Sequence, residues 1–121
     1  WKVKISLKPL DKLFSQYIHL RDKVCQNCGR SYGKLDAAHC FTRAKKSARY
    51  DPDNSCLLCW NPCHLYYDHH DTEKKEFFRK RLGERAFDLL DKRAHTPQKI
   101  DKNGIMLWLE NEKAKLEVKH V

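Results

Sequence analysis

Residues 25–70 read CQNCGRSYGKLDAAHCFTRAKKSARYDPDNSCLLCWNPCHLYYDHH. All six cysteines of the chain fall here, with His39, His64, His69 and His70 among them. Cys25-Gln26-Asn27-Cys28-Gly29 has the form of a metal knuckle, in which the glycine after the second thiol permits the tight turn. Thiols recur at Cys56, Cys59 and Cys63. A structural zinc takes four soft ligands in a closed tetrahedron, so Cys25 and Cys28 with two of the later thiols would complete one. Cys56 and Cys59 have the commoner spacing, while Cys59 and Cys63 are one residue further apart, and spacing leaves both pairs open.

Between the thiol groups, Leu35 to His39 reads as a short strand leading out of the knuckle. Alternation puts Asp36 and Ala38 on one face and Ala37 and His39 on the other. The loop from Phe41 to Tyr50 carries Arg43, Lys45, Lys46 and Arg49 with no acidic residue, a composition suited to phosphate contact. Asp51-Pro52-Asp53-Asn54 is turn chemistry, and Ser55 to Leu58 can form a second strand. If the chain after Pro62 is helical, His64 and Asp68 share a face and can present two ligands to one ion.

Outward from this stretch, residues 1 to 8 alternate apolar and lysine side chains, as an extended basic arm would. Pro9 suits a first helical turn, and Leu10, Leu13, Phe14, Tyr17 and Ile18 then recur at helical spacing. Downstream, Thr72 is the expected N-cap of a helix carrying Phe77, Phe78 and Leu82, which Gly83 interrupts before Ala86, Phe87, Leu89 and Leu90. Pro97 ends that region. A last helix is expected after Gly104, with Ile105, Trp108, Leu109, Glu112 and Leu116.

The chain of 121 residues is long enough for one lean domain. We divide it into a basic arm and helix (1–24), a zinc-bound core (25–71) and a helical C-terminal part (72–121). With 25 Lys and Arg against 16 Asp and Glu, the formal charge is +9, which favours a polyanionic partner through counterion release. No signal-peptide pattern and no apolar run of membrane length is present, so a cytoplasmic, reducing setting is expected, with thiols free for metal. A disulfide-stapled secreted protein is the competing reading of six cysteines. Nucleic acid is the leading candidate partner. A hard ion that hydrolyses phosphodiesters needs oxygen and nitrogen ligands, open positions and a nearby base. His39, Asn54, His64 and Asp68, with Asp36 behind them, have that chemistry. His69 and His70 read as a solvated helix end, and Cys40 as a small buried hydrophobe.

The order His39, Asn54, His64 resembles the H-N-H signature of the ββα-metal nucleases. More closely, the run from Lys8-Pro9-Leu10-Asp11-Lys12-Leu13-Phe14 through Asp36-Ala37-Ala38-His39 and Arg49-Tyr50-Asp51-Pro52-Asp53-Asn54 to Ala94-His95-Thr96-Pro97 resembles the NinG/Rap family of phage recombination nucleases. That resemblance covers most of residues 8 to 110, and the order and spacing of its short motifs make it specific.

The resemblance implies an α+β fold, a zinc-stabilised ββα-metal core with added N- and C-terminal helices, forming a single nuclease domain. It implies that His39 deprotonates or orients the attacking water, that Asn54 orders the loop, and that His64 binds a Mg²⁺ or Mn²⁺ ion. It favours Cys59 and Cys63 as partners of Cys25 and Cys28 around zinc, because the metal residue directly follows the second cysteine of the pair. Branched DNA such as Holliday junctions is the implied substrate, phage recombination in the bacterial cytoplasm the setting, and a homodimer the expected assembly, since a symmetric junction is cut in two places. Ala38 stands where many such nucleases have a metal-binding Asp or His, with Asp36 as the substitute. That departure supports the alternative, a non-catalytic zinc-stabilised DNA-binding module.

Overall fold

Leu10, Phe14, Tyr17 and Ile18 return to one side of a helix every three to four residues, and α1 (Lys8–Asp22) buries all four. Pro9 lies in its first turn, where a missing N–H leaves no bond unmade. The helix stops at Lys23, whose positive φ of 67° turns the chain towards the knuckle. The structure, a computed structural model, describes residues 7–118. Most of the expected basic arm, residues 1–6, therefore lies outside the described residues.

β1 (Leu35–His39) and β2 (Ser55–Cys59) pair antiparallel, with Leu35 opposite Cys59 and His39 opposite Ser55. After β2, residues Trp60–His64 form one wide turn and lead into the single helical turn α2 (Leu65–Asp68). α3 (Asp71–Leu82), α4 (Glu84–Ala94) and α5 (Lys102–Val118) complete an α+β arrangement of five helices and a two-stranded sheet among the described residues.

Both faces of the hairpin are covered, which explains why all of β2 is buried. Ala38, Cys56 and Leu58 pack with Phe78 of α3 and with Phe87, Leu90 and Ala94 of α4. On the other face Leu57 and Ala37 meet Phe14 and Ile18 of α1, Tyr50, and Leu109 of α5. Each large apolar side chain fully buried here contributes about 1.5–3 kcal/mol. The free edge of β2 is closed by the end of α1. Asp22 Oδ2 accepts from Leu57 N at 2.9 Å, Arg21 donates to the Ser55 and Pro52 carbonyls, and Gln26 N donates to Leu57 O. Backbone groups that would otherwise face solvent or another chain are thereby paired.

Two helix starts differ from the sequence reading. α3 begins at Asp71, and Thr72 lies inside it; Asp71 favours the first turn through its charge and its 2.8 Å pair with Lys75. α5 begins at Lys102, before Gly104, because the Asp101 carboxylate accepts the Gly104 N–H at 3.1 Å. Gly83, at φ 90°, separates α3 from α4 as expected. No helix among the described residues is long and apolar enough to cross a membrane.

Candidate functional site

The knuckle closes on itself before it meets any partner. Gly29, at φ 81°, lets its N–H reach the Cys25 carbonyl at 2.8 Å, while Cys25 N donates to Arg30 O. This turn brings Cys25 and Cys28 against Cys59, the last residue of β2, and Cys63 in the turn that follows. The four sulfurs lie within 4.8 Å of one another. Cys28 Sγ is 3.7 Å from Cys59 Sγ. Sulfurs bound to one zinc at about 2.3 Å in a tetrahedron stand about 3.8 Å apart, so the set fits that ion. It can hold a structural metal such as zinc.

The ambiguity over Cys56 is removed by the pleat. Cys56 and Cys59 are three apart on one strand, so they point to opposite faces. Cys56 is fully buried opposite Ala38 in the α3/α4 core, and burial pushes its thiol up to about 12. Cys40 is likewise buried, its thiol pushed up to about 11 for the same reason, as suits a small hydrophobe. In the tetrad, burial opposes ionisation of Cys25, but N–H groups from Cys28, Cys59 and Asn27 outweigh it and bring the thiol down to about 6. Cys63 is pushed up to about 12, by burial and by the sulfurs around it, with Asn27 Nδ2 donating to its Sγ at 3.2 Å. A divalent cation would stabilise thiolates at all four positions.

Directly after Cys63 comes His64, and both of its ring nitrogens meet a carboxylate. Nδ1 is 3.0 Å from Asp36 Oδ2 of β1, and Nε2 is 3.4 Å from Asp68 Oδ2 one helical turn on. The cross-strand pairing of Asp36 with Leu58 brings β1 beside the turn that carries His64. A ring that donates from Nδ1 to Asp36 turns the Nε2 lone pair towards Asp68. Lone pair and carboxylate repel unless a cation, a proton or a metal ion, lies between them. These three residues bring oxygen and nitrogen donors together directly after the last thiol. His69 and His70 stay outside this group; His70 stacks on Tyr66 and bonds that residue's carbonyl.

His39 is elsewhere. It closes β1 on the face opposite Asp36, its ring 5.7 Å from that of Phe14, and Nε2 lies 3.0 Å from the Arg49 carbonyl. Because a carbonyl only accepts, Nε2 carries the hydrogen and Nδ1 keeps the lone pair. Burial, joined by the charges of Arg43 and Arg49, pulls the ring down to about 4 against the opposing effect of the carbonyl. At neutral pH the ring is uncharged and able to accept a proton.

A stability consequence follows from that shift. The unfolded ring takes up its proton near 6.5 and the folded one near 4, so between those values the unfolded state holds more protons. Stability should fall as pH drops through this window, by no more than about 3 kcal/mol from this group. Chemical denaturation of wild-type protein and His39→Gln at pH 7, 5.5 and 4.5 checks it: the variant keeps a donor for the Arg49 carbonyl and should lose less. Equal losses would remove His39 as the source.

Asn54 is fully buried and holds the loop between the strands. Its Oδ1 accepts from Phe41 N at 2.7 Å, and its Nδ2 donates to Phe41 O at 2.9 Å and to Ala48 O at 3.0 Å. Of the loop's four basic residues, Arg43, Lys45 and Lys46 are exposed. Arg49, the fourth, is half-buried and tied into the fold. Its guanidinium makes two hydrogen bonds to Asp11 of α1, at 3.0 and 2.7 Å. Burial works against ionisation of Asp11, but bonds from Arg49 and Tyr50 outweigh it and hold the carboxyl below the ordinary range. Asp11 had no local signal beyond an acidic residue on an apolar helix, and its role as the anchor of the Arg49 loop depends on a partner 38 residues away.

Compared with known proteins, the chain matches no family model, no curated protein and no solved structure.

Proposed function

We propose that the chain is a metal-dependent DNA endonuclease of the HNH type, related to the NinG/Rap nucleases and selective for branched DNA. The observation that carries the reading is His64 held between Asp36 and Asp68 beside a thiol tetrad. Asp36 orients the imidazole through Nδ1, in the manner of a carboxylate behind a metal-bound histidine, and His64 with Asp68 would hold a Mg²⁺ or Mn²⁺ ion. Such an ion supplies Lewis-acid stabilisation of charge on the phosphate and the departing oxygen. His39, uncharged at neutral pH with its Nδ1 lone pair unengaged, accepts the proton of the attacking water. Asn54 fixes the loop whose Arg49 carbonyl sets the His39 tautomer. Arg43, Lys45 and Lys46 take the phosphate backbone. Two copies, one for each strand of a symmetric junction, belong to the same reading, with phage recombination in a bacterial cytoplasm as its setting.

A second reading, a zinc-stabilised DNA-binding module without catalysis, is favoured by one observation: His39 packs against Phe14 on the strand face opposite Asp36. Incubation of the protein with labelled four-way junction and duplex DNA in Mg²⁺ or Mn²⁺ separates the two. Junction cleavage is expected, with His64→Ala and His39→Ala each slowing it about 10²-fold or more while anisotropy still reports DNA binding. Binding without cleavage in either metal would leave the binding module.

A further inference from the structure

Leu57, Leu58 and Cys59 of β2 are at most 1% exposed, yet the next residue, Trp60, is 39% exposed. A large indole left in water beside a buried strand needs a reason, and its neighbours supply one. Lys34 Nζ lies 4.7 Å from the Trp60 ring centre, held there because Trp60 N donates to Lys34 O at 2.8 Å and extends the hairpin by one pair. The Trp60 ring stands edge-on to the His64 imidazole, with centres 5.6 Å apart. A second pair of the same kind adjoins it: the Arg30 guanidinium is 5.2 Å from the ring centre of Tyr32, which is 71% exposed. Arg30 also donates to Asn61 O at 2.8 Å, tying the knuckle loop to the turn that carries Trp60.

Exposed aromatic rings with a cation beside each are the recurring means of gripping single-stranded nucleic acid, the ring stacking on a base and the cation meeting its phosphate. From this geometry we infer that Trp60, with Lys34, is a stacking platform for one unpaired nucleobase next to the phosphodiester that faces His64. Paired bases inside a duplex have both faces covered by their neighbours and cannot use it. The platform therefore selects DNA with unpaired bases at the cut, as at a single-stranded tail or a junction whose central pairs have opened. It stands at the Leu35–Cys59 end of the hairpin, whereas the basic loop begins at the other end, about 14 Å away along a five-residue strand. A bound strand would be held at both ends, by base stacking at one and phosphate contacts at the other.

The inference rests on the nucleic-acid reading above, and its test reads binding rather than hydrolysis. Fluorescence anisotropy would compare a fully paired fluorescein-labelled duplex, the same duplex with a single-stranded tail, and that duplex with abasic sites in the tail, with no divalent ion added. Wild-type protein should bind the base-bearing tail about tenfold or more tightly than the abasic tail. Trp60→Ala should remove that preference and leave paired-duplex binding unchanged, and Trp60→Phe, which keeps a π face, should restore most of it. Equal wild-type affinity for base-bearing and abasic tails overturns the inference, whether or not Trp60→Ala folds. So does a Trp60→Ala protein of unchanged melting temperature that retains the preference. Cleavage in Mg²⁺ without base preference would sink the platform and spare the nuclease; base preference without cleavage would do the reverse.

Discussion

Cys63→Ser should lose its zinc and its fold together. The tetrad ties the knuckle between α1 and β1 to the end of β2 and the turn after it, segments more than thirty residues apart in sequence. Binding free energy at structural zinc sites of this kind is about 10–16 kcal/mol in small modules, comparable with the whole stability of a domain this size. Cys25→Ser and Cys59→Ser should behave alike, and a strong chelator should unfold the wild-type protein. Cys56→Ser is the control that makes the expectation specific. It should retain one zinc per chain and lose about 1–3 kcal/mol, the cost of a hydroxyl in an apolar core. Elemental analysis and thermal melts of the four variants check this. Zinc retained in Cys63→Ser, or lost in Cys56→Ser, would overturn the ligand set.

Asn54→Ala should cost about 3–5 kcal/mol, since three hydrogen bonds go and the Phe41 N–H and carbonyl are left without partners, while the Ala48 carbonyl keeps only Asp51 N. Asn54→Asp should be no better. It keeps an acceptor for Phe41 N, but sets a second carboxylate oxygen against the Phe41 and Ala48 carbonyls in a position with no exposure. The orientation of the amide follows from the same network, because the flipped form would oppose its oxygen to two carbonyls. Damage should spread beyond stability. Asn54 pins Ala48, and the next residue provides the carbonyl that holds His39. Urea denaturation should show the loss, and the His39 NMR resonances should shift as its carbonyl partner loosens. A midpoint corresponding to less than about 0.5 kcal/mol would show that water replaces the amide without penalty.

Much of this site was legible because local geometry is written in short spacings. The knuckle could be read from two thiols and Gly29, the sharing of a face by His64 and Asp68 from their separation of four, and the bounds of β1 from the residues at its ends. The starts of α3 and α5 were misread for an equally local reason. Several nearby side chains can favour the first turn, and Asp71 and Asp101 prevailed over Thr72 and Gly104.

What the sequence by itself determined was the inventory: six thiols, a His, Asp and Asn set interleaved with them, and helices of known apolar faces around a short hairpin. Tertiary structure decided the assignments. Cys56 has the commoner spacing from Cys59, yet the pleat of a strand buried on both faces sent Cys56 into the α3/α4 core and left Cys59 with Cys63 in the thiol tetrad. Arg49 looked like its basic neighbours until Asp11 met it across the fold. Neighbour-to-neighbour rules set which direction a side chain leaves the backbone, but only the packing of distant segments sets what waits there.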